Sequence, residues 1–387
     1  MADSEVHGTY DPAFESVRDI LNQRLSSDSE LGFSLYVDID GKSVVDLWGG
    51  YADKAKTRPW EKDTVAPVWS CSKIVTNLAA LILIDRGLLD PNENVAKYWP
   101  EFVVNGKENV KVSHVLSHAS GLPGWEAPIT NEDVYDWEGA TERLANQAPW
   151  WTPGEGSGYH LATQGHLVGE IIRRVTGKPV EQFVAEEISQ PLGADFTYGL
   201  PEDKWSHSVE MLPPPPLPFE GGDPNSITTR AIIGSPFPAE LTTTPGFRKA
   251  VIPAINGFCN ARGLGRIGSM VSLNGTVGNI PILTPSALDK LFKEQTNGVD
   301  RVTFEYLRLG LGVALSDSRT CAWIPEGNIC YWGGWGGSMV IMDRERRMTI
   351  GYAMNNMCAI GTLGNENTEA YVKEIYSIVD QMLSETK

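Results

Sequence analysis

The sequence predicts an α/β fold joined to an all-α lobe. Strand patterns follow an amphipathic helix near the start of the chain, helical patterns dominate the middle, and strands return before a final helix. The two ends are therefore expected to build one lobe, an antiparallel sheet flanked by N- and C-terminal helices, from residues 1–69 and 246–387. Residues 70–245 are expected to form a mainly helical insertion, with a cleft between the two lobes.

The first element is a helix from Asp11 to about Arg24, because apolar residues recur there on one side. From Phe33 to Ile39, apolar and polar residues alternate, which is the period of a half-buried strand. Asp40-Gly41 provides a turn, and Ser43 to Trp48 returns as a second strand.

Helical patterns and loops occupy the middle of the chain. A helix is predicted to begin at Ser70 with one apolar face (Ile74, Leu78, Leu81, Ile82) and to close at Asp90-Pro91. A short helix runs from Val112 to His118, and another from Leu161 to Val175 stops at Gly177. The proline run from Pro213 to Pro218 is interpreted as a rigid crossing or a lid rather than a peptide ligand.

The last third contains a helix within residues 256–271 and a strand candidate from Arg308 to Leu315. Three further strands form a meander, and the chain closes with an amphipathic helix from Thr368 to Leu383. The meander strands are Ile329 to Gly334, Ser338 to Asp343 and Met348 to Asn355.

Composition excludes several classes of function. The net charge of −17 over 387 residues argues against a nucleic-acid or anionic-membrane partner. No run of eighteen apolar residues occurs, and the first residues lack a secretory pattern. Five cysteines match no zinc or redox spacing, so reduced thiols and a cytoplasmic location are expected. Cys321 and Cys330 could pair across a hairpin, but two free thiols are the favoured interpretation.

The stretch from Pro67 to Lys73 is the strongest candidate for chemistry. Ser70 ends an apolar approach and is predicted to cap the helix, with the Lys73 ammonium one turn further beside its hydroxyl. A lysine that has lost its own proton can activate such a hydroxyl, and a helix N-terminus favours an oxyanion. The pattern Ser-x-x-Lys is weak evidence alone, because Ser384 to Lys387 also matches it by chance. The alternative is a plain helix cap with an exposed lysine.

His114 and His118 stand four residues apart, a spacing that can bind a metal. No acidic residue follows in the metalloprotease arrangement, so structural histidines are the favoured interpretation, and no metal or cofactor is expected.

Four ordered matches carry a resemblance that covers nearly the whole chain. They are Ser70-Cys71-Ser72-Lys73, Leu116-Ser117-His118-Ala119-Ser120-Gly121-Leu122-Pro123, Pro153-Gly154 with Gly158-Tyr159-His160, and Trp332-Gly333-Gly334-Trp335. The chain resembles the serine β-lactamase-like superfamily in its class C-type branch. That branch includes family VIII carboxylesterases, D,D-peptidases and acyltransferases that esterify polyketides. The resemblance implies the β-lactamase/D,D-peptidase-like version of the predicted fold.

The resemblance also implies roles for individual residues. Ser70 would be the acylated nucleophile, Lys73 would share or relay its proton, and Tyr159 would be the general base for attack and the acid for the leaving group. Trp332-Gly333-Gly334 would occupy the strand position of the Lys-Thr-Gly motif, where glycines let the strand approach a substrate. The main-chain N–H groups of Ser70 and Trp335 would form the oxyanion hole.

Two departures distinguish the chain from β-lactamases and peptidases: Leu161 replaces an asparagine, and Trp332 replaces a lysine. The Trp-Gly-Gly form resembles esterase and acyltransferase members. Without a second ammonium, the pKa values of Lys73 and Tyr159 are expected to depend on burial and on each other.

Tryptophans adjoin the matched motifs and predict an aromatic-walled pocket. Candidate substrate-binding residues are Trp69, Trp125, His160, Trp332, Gly333 and Gly334. The leading hypothesis is a carboxylesterase that forms an acyl-enzyme with a small-molecule apolar or aromatic ester. The alternatives are acyl transfer to an alcohol, weak β-lactamase or D,D-peptidase activity, and a non-catalytic scaffold. The sequence indicates neither the natural substrate nor the oligomeric state.

Overall fold

A nine-stranded antiparallel sheet forms the centre of the molecule. The computed structural model describes residues 5–214, 223–358 and 363–385. Across the sheet the strand order is β1-β3-β2-β14-β13-β12-β11-β10-β9. These strands are β1 (Val6–Tyr10), β2 (Gly32–Ile39), β3 (Lys42–Gly50), β9 (Thr296–Val299), β10 (Tyr306–Leu309), β11 (Ala314–Leu315), β12 (Ile329–Gly333), β13 (Met339–Asp343) and β14 (Met348–Met354). A smaller sheet orders β4 (Ala66–Pro67), β6 (Gly257–Cys259) and β5 (Phe196–Tyr198), and β7 (Thr276–Val277) pairs with β8 (Ile280–Pro281).

The α-helices lie before, between and after these strands. They are α1 (Glu15–Ser26), α2 (Ser72–Asp85), α3 (Val112–Leu116), α4 (Asn131–Tyr135), α5 (Trp137–Asn146), α6 (Thr163–Thr176), α7 (Val180–Val184), α8 (Gln190–Leu192), α9 (Ile227–Ile233), α10 (Pro245–Lys249), α11 (Ala261–Ser272), α12 (Pro285–Leu291) and α13 (Glu366–Glu385). A π-helical turn, Ala185–Ser189, joins α7 to α8, and short 3₁₀ turns include Trp69–Cys71 immediately before α2. The predicted α/β sheet with flanking helices and a helical insertion is confirmed, whereas the lobe boundaries at 69/70 and 245/246 stay a prediction.

Strand β2 is buried on both faces, so the predicted half-buried strand is wrong. Its polar face is covered by α11, whose Ala261 N–H donates to Ser34 Oγ at 3.0 Å and whose Gly265 lies against the Tyr36 ring. Ser34, Tyr36 and Asp38 are each at most 6% exposed. The polar residues of β2 therefore lie on the face that α11 covers, not on a face exposed to solvent.

The helix after Ser70 also differs from its prediction. Ser70 lies in the 3₁₀ turn and makes no side-chain capping bond, and α2 begins at Ser72. Every residue of α2 from Ser72 to Ile84 is buried, because α6, α7 and α12 pack around it. The predicted single apolar face is therefore wrong, since this helix is a core element.

The predicted strand from Arg308 to Leu315 is two strands, β10 and β11. Gly312 has a φ of +88°, and the Gly310 N–H donates to the Val313 carbonyl at 2.9 Å, which turns the chain between them. In the proline run, residues 215–218 lie outside the described residues. All five cysteines are unpaired, so Cys321 and Cys330 are free thiols. Within the described ranges, no helix combines the length and apolar character needed to cross a membrane.

Candidate active site

The turn that carries Ser70 is fixed by its neighbours on the sheet side. Trp69 has a positive φ of 47°, an uncommon conformation for a bulky residue, which turns the chain immediately before Ser70. The Val68 N–H donates to the Gly257 carbonyl at 2.8 Å, and the Cys71 thiol lies 3.7 Å from the Trp332 carbonyl of β12. Ser70 is therefore placed where the start of α2 meets β12.

Two further side chains reach the Ser70 hydroxyl. Tyr159 Oη lies 2.6 Å from Ser70 Oγ, and Lys73 Nζ lies 3.0 Å from the same atom. Lys73 comes from the first turn of α2, whereas Tyr159 comes from the segment before α6. The structure thus brings together the three residues that were predicted to carry the chemistry, around a serine that is buried with 6% of its surface exposed.

Lys73 is surrounded by oxygen acceptors but is fully buried. Its Nζ donates to the carbonyls of Leu161 at 2.8 Å and Ala254 at 3.1 Å. Burial lowers the pKa of Lys73 well below its ordinary value of 10.5. A neutral amine that donates two N–H bonds to those carbonyls directs its lone pair at the Ser70 hydroxyl. This geometry suits a proton acceptor.

The pKa of Tyr159 is shifted in the opposite direction from that of Lys73. Burial raises the pKa of its phenol above the ordinary value of 10, although the hydrogen bonds to Ser70 and Trp332 oppose that shift. Trp332 Nε1 donates to Tyr159 Oη at 3.3 Å. The phenol therefore keeps its proton at neutral pH and can donate it. The predicted dependence of both pKa values on burial is consistent with these causes, while neither group is a main cause of the other's shift.

The loop after β12 places Trp335 beside the nucleophile. The rings of Trp69 and Trp335 meet edge to face with centroids 5.0 Å apart. Main-chain bonds engage the neighbouring Gly334 and Gly337 N–H groups, but the N–H groups of Ser70 and Trp335 have no protein acceptor among the described residues. Two main-chain N–H donors without a protein acceptor, one of them on the serine itself, are the groups that an oxyanion hole requires.

Gly334 lies against the main chain that precedes Ser70, and its predicted contact with a substrate stays a prediction. A Cβ on Gly334 would lie 2.3 Å from the Val68 carbonyl oxygen, and its N–H donates to Ser338 at 2.7 Å. The glycine therefore lets β12 approach the Ser70 turn, and its N–H is already used. Gly333 pairs with Met339 within the β12–β13 ladder.

Two predicted substrate-binding residues lie in the core. Trp125 is 1% exposed, its indole donates to the Ala140 carbonyl at 2.9 Å, and its ring packs on His166. His160 is fully buried, and its two ring nitrogens bond Ser120 and the Gly158 carbonyl, each at 2.6 Å. Neither side chain offers a free group to a substrate. These two assignments are therefore wrong, because nearness to a motif in sequence did not mean nearness to the cleft.

Trp69 and Trp332 do lie at the site. Trp69 contacts Trp335 and Phe247, and Trp332 contacts Tyr159 and His118. These rings form an aromatic cluster beside Ser70 and Tyr159, and their contact with a substrate stays a prediction.

Sequence reasoning missed two residues at the site, His118 and Asp300. The His118 ring stands edge-on to Tyr159 at 4.8 Å, and its Nδ1 accepts from the His160 N–H at 3.1 Å. Asp300 Oδ1 accepts from the Tyr159 N–H at 3.0 Å. The Ser-His motif pointed towards His118, whereas nothing in the sequence links Asp300 to a tyrosine 141 positions earlier. Across the described ranges, no three His, Cys, Asp or Glu side chains group as metal ligands.

Together, the fold and the convergence of Lys73 and Tyr159 on Ser70 define the serine-hydrolase class. Residues 17–367 match the family model described as Beta-lactamase. The chain therefore belongs to the beta-lactamase family.

Named relatives agree with this assignment. The esterase/beta-lactamase LipL of Mycobacterium tuberculosis is 32% identical over 73% of this chain and 68% of its own length. Esterase EstB of Burkholderia gladioli is 27% identical over 78% of this chain and 80% of its own. A crystal structure of a family VIII carboxylesterase superposes with a TM-score of 0.90 at 32% identity, covering 97% of this chain and all of the other.

Proposed function

We propose that the protein is a carboxylesterase that hydrolyses apolar or aromatic small-molecule esters through an acyl-enzyme on Ser70. The observation that carries the proposal is the placement of a buried amine and a buried phenol on one serine hydroxyl, at 3.0 and 2.6 Å. The amine is suited to accept a proton and the phenol to donate one.

Acylation follows from this arrangement. Ser70 Oγ attacks the ester carbonyl carbon while its proton passes to Lys73 Nζ. The carbonyl oxygen becomes an oxyanion between the N–H groups of Ser70 and Trp335. When the carbon–oxygen bond breaks, Tyr159 donates its proton to the leaving alkoxide and recovers one from the Lys73 ammonium. Lys73 is thus the base and Tyr159 the acid. The sequence-based hypothesis instead made Tyr159 both base and acid, with Lys73 sharing or relaying the serine proton.

Deacylation repeats the same transfers with water. A water molecule attacks the acyl carbon, its proton passes to Lys73, and the bond to Ser70 Oγ breaks. The serine oxygen then regains a proton from Tyr159, which lies 2.6 Å away, and the Tyr159 phenolate recovers a proton from the Lys73 ammonium. The acid product leaves and the starting state is restored.

Two features support an ester rather than a carboxylate-bearing β-lactam or peptide. Trp332 brings an uncharged indole where the resemblance places a lysine that attracts a carboxylate. The rings of Trp69 and Trp335 favour apolar groups in the substrate. EstB is named an esterase, which agrees with this choice, whereas the name of LipL includes both esterase and beta-lactamase.

Intact-mass analysis tests the proposal. The protein is incubated with p-nitrophenyl esters of short acids, and separately with a serine-directed fluorophosphonate. We expect one acyl or phosphonyl adduct that Ser70→Ala abolishes. Ser384→Ala, in the second Ser-x-x-Lys sequence, is the matched control and should label like the wild type. If no donor adds mass, the protein is a scaffold rather than an enzyme.

Acyl transfer to an alcohol would use the same intermediate, and only the attacking nucleophile would differ. Adding a small alcohol during turnover separates the two, because a transferase forms new ester faster than free acid. Hydrolysis is the proposed main reaction, and nitrocefin turnover would reveal a β-lactamase side activity.

We also propose a cytoplasmic location and no nucleic-acid or membrane partner. Five unpaired cysteines, four of them buried, fit a reducing compartment, and the net charge of −17 opposes anionic partners. Fractionation of cells that produce the protein tests the location.

A further inference from the structure

The segment that carries Tyr159 is held by three consecutive main-chain bonds. The Gly158 N–H donates to the His118 carbonyl at 2.9 Å, and the His160 N–H donates to His118 Nδ1 at 3.1 Å. Between them, the Tyr159 N–H donates to Asp300 Oδ1 at 3.0 Å. The tyrosine backbone is therefore fixed on both sides by one residue and at its centre by another.

Asp300 itself cannot shift easily. Its Oδ1 also accepts from the N–H groups of Val302 at 2.9 Å and Thr303 at 3.0 Å. The Asp300 N–H donates to the Glu305 carbonyl, which closes the loop between β9 and β10. The carboxylate is fully buried. Asp300 Oδ1 thus accepts two hydrogen bonds within the β9–β10 loop and a third from the Tyr159 N–H.

The same loop contacts the tyrosine segment at two more points. The Arg301 N–H donates to the Ser157 carbonyl at 2.9 Å, and the Arg301 guanidinium donates to the Glu155 carbonyl at 2.7 Å. The β9–β10 loop belongs to one edge of the nine-stranded sheet, whereas Trp332 on β12 contacts the phenol. The sheet therefore holds Tyr159 at both its main chain and its hydroxyl.

We propose that Asp300 is a positioning residue, which fixes the Tyr159 backbone so that the phenol stays within hydrogen-bonding distance of Ser70. The proposal rests on the proposed function, in which Tyr159 protonates the leaving group. Asp300 touches no reacting atom, so it acts only through Tyr159. Loss of its oxygen would leave the loop and the Tyr159 N–H without their acceptor, and the phenol would lose its alignment.

A comparison of two ester types separates positioning from general stability. An alkyl ester expels a strongly basic alkoxide that needs a proton from Tyr159, whereas a p-nitrophenyl ester of the same acid does not. We expect Asp300→Ala to lower kcat/KM on the alkyl ester by about 10- to 100-fold. On the nitrophenyl ester, the factor by which kcat/KM falls should be about ten times smaller. Asp300→Asn keeps an oxygen acceptor and should stay within about threefold of the wild type on both.

Asp343 provides the matched control. It is also fully buried, and its Oδ1 accepts from the Glu345 and Arg346 N–H groups at 2.9 Å in the turn between β13 and β14. Asp343→Ala should lower the melting temperature without changing the ratio of the two ester activities. If Asp300→Ala lowers both activities equally, or neither, the positioning role is overturned.

A second variant, Asp300→Ser, tests the proposal if Asp300→Ala does not fold. Asp300→Ser keeps a hydroxyl that can close the loop but ends one atom short of the Tyr159 N–H. It should show the same selective loss on the alkyl ester, and an unchanged ratio would overturn the proposal. Fluorophosphonate labelling of the wild type distinguishes the two hypotheses: no labelling refutes the proposed function, whereas labelling with an unchanged ester ratio in the variants refutes the role of Asp300 alone.

Discussion

The indole N–H of Trp332 donates to the hydroxyl of Tyr159 at 3.3 Å, in a position where the family resemblance places a lysine. An uncharged donor stabilises the phenol oxygen without adding a second cation beside Lys73. The substitution therefore changes the electrostatics of the site as well as its preference for substrate charge.

Trp332→Phe should lower kcat on an alkyl ester by about three- to tenfold. The variant keeps an aromatic ring but removes the donor, and the loss of that bond raises the pKa of Tyr159 further, which makes the phenol a weaker acid. Steady-state kinetics provide the measurement. Trp205→Phe is the control, because it removes an indole bond of 2.8 Å to the Leu200 carbonyl and leaves the hydrogen bonds of Tyr159 in place. Equal kcat for the two variants would contradict the assignment.

Trp332→Lys should move both limbs of the pH–rate profile to lower pH by about one to two units. A new ammonium opposes the charged form of Lys73, so the base is neutral at lower pH. The same charge stabilises the Tyr159 phenolate, so the acid is lost at lower pH. The profile of kcat/KM for a p-nitrophenyl ester and an alkyl ester reports both limbs. Unmoved limbs would show that position 332 does not tune these groups.

Lys73→Arg should reduce fluorophosphonate labelling of Ser70 by about 10²- to 10⁴-fold. Arginine stays charged at all accessible pH values, so it cannot accept the serine proton even if it retains the bonds to Leu161 and Ala254. Rates of adduct formation by mass spectrometry give the result. A variant that labels at the wild-type rate would show that Tyr159 alone removes the proton.

Much of this site could be predicted because its motifs are local. Ser70 and Lys73 are one helical turn apart, and Tyr159 lies in a short motif before a helix, so sequence order was enough to propose them. The three strands of the meander were also predicted closely, since each is bounded by charged turns or glycines. Local patterns report local structure well.

The wrong predictions concern residues whose position and side-chain direction depend on long-range packing. Trp125 and His160 stand beside motif residues but turn into the core, and a sequence has no signal for the direction of a side chain in a loop. Asp300 reaches Tyr159 only because the β9–β10 loop folds against the segment before α6. The fully buried α2 shows the same limit, since its polar residues Thr76 and Asn77 are satisfied by distant carbonyls.

Glu30 should make the protein less stable as pH rises. Its buried carboxylate accepts from Tyr371, Asn367 and Tyr352, yet burial raises the pKa of Glu30 to about 7 from 4.5. The folded state binds the proton more tightly than the unfolded state, so stability falls between about pH 4.5 and 7. The fall amounts to about 3 kcal/mol from this group. Glu30→Gln should remove that part of the pH dependence in thermal unfolding, and parallel curves for the two proteins would contradict it.

Gly334→Ala should separate β12 from the nucleophile turn. The new Cβ would lie 2.3 Å from the Val68 carbonyl oxygen, a main-chain atom that cannot move without shifting Trp69 and Ser70. We expect a stability loss of about 1–3 kcal/mol. We also expect kcat/KM to fall by about 10²-fold, because the Ser70 and Trp335 N–H groups lose their common alignment. Gly298→Ala on β9 is the matched control, since a Cβ there meets nothing within 4 Å. Thermal unfolding and ester kinetics on both variants decide the matter: if Gly334→Ala keeps wild-type turnover, the close approach of β12 is not what builds the oxyanion site.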